Sequence, residues 1–463
     1  MTHVTFPLPD GERYGMTTTN PDQPGVEDDV RPDGTPRLVY RAMLVPFVLL
    51  ITCFAAWGSA ANLTDVLVGV FRKIFTGMSN FESGLVQFAY YGAYFTLAIP
   101  AAFINKRFGY KTGVLTGLGL AAVGGLLFIP ASQLLTYSLF LAALFVLAAG
   151  LSILETSANP FAIAMGPEAT ATRRLNLAQS FNPVGANIGV LLGAALILPN
   201  LTREEDKVGL SPEQLVATQE RDLDLVLGPY LGIAAVLILI WVLIFFRKGM
   251  HSPVEDIEAA PGAQGSAGVF GRLFRNAHYR WGVVAQFFNV GAQTCTWSFT
   301  IQYAEEIVGW SPGAAGWALQ ASLLLFLFSR FLMFYLLGRI RPTKLLLVMA
   351  VLGVVFALVG VVSPNVVGLL CIIGISLSLS LMFPTIYGVA LQGLGGDTKF
   401  GAAGLVMAIL GGALLTPAMG ALADVSNFAI AFLIPALALA VVAGYALFDL
   451  TTKRHSEALV SEV

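Results

Sequence analysis

Charged residues make up only 12% of this 463-residue chain, against about 25% in an average soluble protein. That scarcity excludes a fully solvated surface. With 56% hydrophobic residues and a mean hydropathy of +0.75, there is more apolar surface than a soluble core can hide. A net charge of -2 leaves no footprint for nucleic acid. Cysteine is rare too: Cys53, Cys295 and Cys371 sit in apolar runs and read as small core residues, not as a disulfide or metal framework. No P-loop, HExxH, GxSxG or CxxC pattern occurs. ATP-driven transport within the chain, common hydrolase chemistry and a metal centre therefore have no support, and neither an enzyme nor a cofactor is expected.

What the chain has is long apolar runs. A membrane span needs roughly 20 such residues. Twelve runs qualify, near 42–70, 83–105, 112–130, 134–165, 175–199, 228–246, 281–304, 312–338, 344–362, 365–393, 400–423 and 427–450. The expected class is an all-α membrane protein of twelve transmembrane helices. Most of the 26 Lys and Arg fall on one side if both termini are cytoplasmic, as the positive-inside rule requires. Residues 1–41, rich in Pro, Gly, Asp and Thr, are predicted to be a disordered cytoplasmic tail. Residues 247–280, also Gly- and Pro-rich, form an expected cytoplasmic linker between six-span bundles at 42–246 and 281–450, with a short tail at 451–463. The polar stretch 200–224 is expected outside, with a short helix at SPEQL. A constant offset of 224 relates Trp57-Gly58, Asn62 and Asp65 to Trp281-Gly282, Gln286 and Asn289, and Pro160 to Pro384. Duplicated halves with a central substrate site are a transporter plan.

Few ionisable residues fall well inside a span: Asp65, Glu155 and Arg330. Each costs about 2.5–3.5 kcal/mol at a helix centre on insertion scales, so each is a functional candidate, against a structural ion pair or a snorkelling side chain. A carboxyl that moves between a dry and a watery site takes up a proton in one and releases it in the other. Asp65 and Glu155, facing a cavity between the halves, are the proton-coupling candidates. Arg330, two turns from a span end, is a gating or structural charge, as are Lys106 and Arg107 in the loop after the second span. Uncharged polar residues cluster at helical spacing around the acids: Asn62, Gln87, Tyr91, Asn159, Gln179, Asn182, Gln286, Asn289, Gln293 and Trp297. Amides donate and accept, and aromatic faces stack on the C–H side of a sugar ring, so the set suits a neutral, hydroxyl-rich ligand. The alternative is interhelical glue, worth about 0.6–2 kcal/mol per contact. Pro160, beside Asn159, removes a backbone hydrogen bond and is expected to bend the fourth span.

The stretches ANLTDVL, LETSANPF, RLNLAQSFN, LSPEQL, QFFNVGAQTCTWS and GDTKFG resemble the L-fucose/proton symporter family of the major facilitator superfamily, which includes related hexose permeases. The similarity runs over nearly all of 43–450. It implies a rocker-switch fold in a bacterial inner membrane, with uptake of a monosaccharide driven by protons. It also implies that Asp65 and Glu155 handle the proton and that Gln179 and Asn182 contact sugar. The loop AFINKRFGYK departs from the general superfamily loop: Lys106 stands where an aspartate is usual, and Tyr110 where an arginine is. Ala61, Thr64 and Asn289 also differ from the fucose-transporter pattern, which gives a polar cavity of different shape. A proton antiporter or exporter of a small polar compound on the same fold is the alternative. A membrane sensor without transport, and an intramembrane enzyme, fit less well: the first needs no buried acids, and the second lacks a nucleophile. The expected partners are sugar, protons and lipid, with the protein a monomer.

Overall fold

The computed structural model describes residues 35–74, 80–192, 196–197, 200–202, 207, 210–251 and 268–461, with side chains over 35–63, 85, 88–192, 196–197, 200–202, 207, 210–211, 213–251, 268–311 and 313–452. Residues 1–34 of the expected tail lie outside the described residues. The helices of the first half are α1 (Leu44–Ile74), α2 (Asn80–Leu126), α3 (Phe128–Gln133), α4 (Tyr137–Ala164), α5 (Ala171–Gln179), α6 (Asn182–Leu192) and α7 (Pro212–Phe246). Those of the second half are α8 (Val269–Arg275), α9 (Ala277–Gln302), α10 (Pro312–Leu336), α11 (Pro342–Val362), α12 (Val366–Leu379), α13 (Met382–Ala390), α14 (Thr398–Met407), α15 (Leu410–Val425), α16 (Phe428–Ala431) and α17 (Leu433–Ser461).

Nine helical stretches among the described residues are long and apolar enough to cross a membrane. The expected spans map onto them with three differences. Phe88–Gln133 holds two, because Gly109 breaks α2 with φ 82° and ψ 166°, a conformation open to glycine. The fifth is divided between α5 and α6. The seventh, α9, carries the amides Gln286, Asn289 and Gln293, which lower its hydropathy.

Several boundaries move for local reasons. SPEQL does not form a separate helix: it opens α7, which starts at Pro212 instead of near 228. Ser211 caps it reciprocally, with Gln214 N donating to Ser211 Oγ (3.3 Å) and Ser211 N donating to Gln214 Oε1 (2.9 Å). α9 begins at Ala277, four residues early, because Asn276 Oδ1 accepts from Tyr279 N at 3.1 Å. Within the expected linker, α8 is held by a two-pronged ion pair, Arg272 Nε and Nη2 to Asp397 at 2.7 and 2.6 Å.

Residues 35–41, expected within the disordered tail, are instead packed. Val39 is buried. Thr170 Oγ1 donates to the Arg37 carbonyl (2.9 Å), and Tyr40 N donates to Met165 O (3.0 Å). Arg174 organises this strap. Its buried guanidinium donates to the carbonyls of Ala162 (2.6 Å), Ile163, Gly166 (2.9 Å) and Leu38 (2.7 Å). The last carbonyls of α4 have no intrahelical partner and carry the negative end of the helix dipole, so a cation settles there without a carboxylate.

Among the described residues two buried cores result. One belongs to the second half alone; the other joins the first half to Tyr387, Phe400, Leu405 and Val406 of the second. The halves are therefore packed together at the Lys/Arg-rich face.

Candidate functional site

Pro160 sits inside α4, which continues through it. Because proline lacks an N–H, the carbonyl four residues back, on Thr156, loses its helical donor. Asn105 of α2 fills the gap, its Nδ2 donating at 3.3 Å, while its Oδ1 accepts from Ser157 Oγ at 2.8 Å. This fixes the segment that carries Glu155 and Asn159.

Glu155 is fully buried, and neither carboxyl oxygen has a hydrogen-bond partner of good geometry. It is not among the residues that line the cavity between the halves, where it was expected to face; the helix that carries it, α4, packs against α2 and α14. Asn159 lies beside it, and Tyr94 and Tyr387 are near enough to interact with it electrostatically. Asn159 Oδ1 accepts from Gln179 Nε2 at 2.8 Å. Trp57 Nε1 donates to Tyr94 Oη (2.8 Å), which also takes a bond from Tyr90 Oη (3.3 Å).

Above this layer, away from the packed face, lies a cavity of about 110 Å³ between the halves. Its lining includes Asn62, Asn182, Asn187, Gln293, Trp297 and Arg330. Trp297 is oriented by Nε1 donating to Ser376 Oγ (3.0 Å) and by an edge-on contact with Phe326, 5.0 Å between centroids. Arg330 stacks on Phe326 at 4.7 Å, and its Nη1 reaches the Gln179 carbonyl at 2.8 Å.

Five of the sequence-derived candidates, Asn62, Asn182, Gln293, Trp297 and Arg330, thus meet at one cavity. Glu155, Asn159 and Gln179 form a separate buried group. Gln286 and Asn289, one or two turns nearer the start of α9 than Gln293, are fully buried, and none of their four amide atoms has a partner. Tyr91 approaches Gly412 of α15, its Oη 3.4 Å from where a Cβ would stand. The side chains of Asp65 and Gln87 lie outside the described residues. Lys106 stands over the Phe400 ring at 5.7 Å, whereas exposed Arg107 covers its own neighbour Phe108 at 5.2 Å. Asn105, Asn187, Ser376 and Tyr387 were missed by the sequence reading. Only Asn105 had a signal, since Pro160 demands a donor for Thr156.

The packed face is held by cations lying on aromatic rings of the opposite half. Besides Lys106 on Phe400, Lys399 lies over Tyr110 at 5.1 Å and Arg173 over Phe334 at 4.7 Å. Phe103 meets Phe400 edge-on at 5.0 Å. Among the described residues no group of His, Cys, Asp and Glu is placed to hold a metal ion.

The family model of the Major Facilitator Superfamily matches residues 43–409. The L-fucose-proton symporter of Escherichia coli (strain K12) is 41% identical over 413 residues, covering 88% of this chain and 94% of that protein. The glucose/galactose transporter of Brucella abortus biovar 1 (strain 9-941) is 32% identical over 400 residues, covering 86% and 92%. A crystal structure of the transporter FucP in its outward conformation superposes with a TM-score of 0.82 at 40% identity, covering 88% of this chain and 99% of that one. The proton:xylose symporter XylE shares the fold, with a TM-score of 0.64 at 13% identity over 87% of this chain and 95% of that one. The chain therefore belongs to the major facilitator superfamily, within the group that holds the L-fucose-proton symporters and the glucose/galactose transporters.

Proposed function

We propose that this protein imports a monosaccharide, fucose-like or hexose, together with protons, by alternating access. The observation that carries the reading is Glu155: a carboxyl deep in a membrane helix, sealed without a counter-charge, behind a cavity lined by amides and a tryptophan. A buried carboxyl without a counter-charge is far better tolerated in its neutral form, and one that meets water on the other side releases its proton. Asp65 shares the coupling, linking protonation to the change of state.

The sugar meets Asn62, Asn182, Gln293 and Trp297 first. The unpaired amides of Gln286 and Asn289 are costly while buried, by about 1–3 kcal/mol per unsatisfied group. Sugar hydroxyls or water reaching them as the halves rock relieve that cost. Lys106, Lys399 and Arg173 hold the opposite gate. The Lys/Arg-rich face is cytoplasmic, both termini lie on it, and the halves act as two six-helix bundles joined through 247–280. The protein works as a monomer.

The test is proton uptake by proteoliposomes on addition of sugar, across a panel of hexoses, deoxyhexoses and amino sugars. External alkalinisation with at least one is expected. Silence across the panel, with a protein shown to be folded, overturns the reading.

A further inference from the structure

Arg330 belongs to α10 in the second half, yet its Nη1 donates to the backbone carbonyl of Gln179 in the first, at 2.8 Å. That acceptor exists for a reason written in the sequence. Gln179 ends α5, and the residue four positions on, whose N–H would normally take its carbonyl, is Pro183. The side chain of Gln179 meanwhile holds Asn159, one turn from Glu155. Arg330 is buried, and it lines the same cavity as Pro183 and Asn182.

We propose that Arg330 is a positioning residue, a clasp between the halves. It grips the carbonyl vacated by Pro183 and so holds the group Glu155–Asn159–Gln179 against the second half while the cavity is open. Its release is part of the switch. A guanidinium suits this use: it stays charged and its planar fork is pre-organised, and a charge-assisted bond in a site poor in water outlasts a neutral one. The inference rests on the alternating-access reading above but names a contact that sugar chemistry does not require.

The test removes the bond from either side. Arg330→Gln deletes the donor's charge. Pro183→Ala restores an N–H that competes for the Gln179 carbonyl and leaves the guanidinium in place. Spin labels on Glu168→Cys and Gln392→Cys, which line the same cavities from opposite halves on the packed side, report the separation of the halves by double electron–electron resonance. Each variant is expected to raise the ratio of separated to closed molecules about tenfold, the effect of losing one charge-assisted bond. The two together should do no more than either alone. Arg330→Lys should recover part of the closed population. Additive effects, or an unchanged distribution in Pro183→Ala, would overturn the clasp. Because the labels read conformation without sugar or protons, this result is independent of the proteoliposome assay, and failure of one is not failure of the other.

Discussion

At the scale of single residues, Glu155 and its neighbours divide the polar chemistry of the membrane interior. Glu155 is enclosed and lacks a hydrogen-bond partner of good geometry, while Asn159 and Gln179 bind each other beside it. Replacing the carboxyl with a group of the same shape that cannot titrate isolates its proton. Glu155→Gln is therefore expected to abolish accumulation driven by a pH gradient and to leave sugar exchange across the membrane within about twofold, since the amide fits the same space and tolerates burial better than a charge. Counterflow and pH-jump uptake, measured on one preparation, check this; normal accumulation by the variant would remove Glu155 from the proton path. Glu155 and Arg330 were legible in the sequence because each breaks a long uncharged run. Which of them faces the cavity was not. A side chain's access to water depends on which neighbouring helices pack over it, and no local pattern records their approach.

At the scale of helices, spacing between elements is set by what is absent from a side chain. α1 and α6 cross closely, and a Cβ on Gly185 would overlap the Ala55 carbonyl oxygen. Small residues permit that approach where lipid offers no hydrophobic drive for association. Gly185→Ala is expected to cost about 1–3 kcal/mol as the helices are forced apart. It should also weaken sugar binding, because Asn182 is carried on the same helix. Gly228→Ala in α7, where a Cβ meets nothing within 4 Å, should be neutral or slightly stabilising. Thermal unfolding in detergent with and without sugar separates the two; equal behaviour would show that the crossing is looser than described. The nine stretches found among the described residues are consistent with the twelve expected, and the order of spans followed from hydropathy. Helix starts did not, because Ser211–Gln214 and Asn276 act through capping bonds that extend α7 and α9 past the apolar runs. The strap at 35–41 was hidden for a similar reason: its anchor, Arg174, is far along the chain and reads as one more loop cation.

At the scale of the molecule, the closed face depends on cations resting on rings, with Lys106, Lys399 and Arg173 each reaching into the opposite half. Such contacts are worth about 2 kcal/mol each when desolvated. Phe400 touches Lys106, Phe103 and Phe270. Phe400→Leu keeps the bulk and loses the ring face. It should raise hydrogen exchange of residues 166–173 roughly five- to thirtyfold by populating the separated state. Unchanged exchange there would mean that packing, and not the cation, closes this side. The strap adds a constraint of another kind. The carbonyls of Arg37 and Leu38 are made 133 and 136 residues before the Thr170 and Arg174 groups that bind them. During synthesis residues 37–40 wait, undocked, until the fourth helix and the loop after it have emerged. Docking of residues 37–40 on this face therefore has to follow the appearance of Arg174, a long-range dependence set by one arginine.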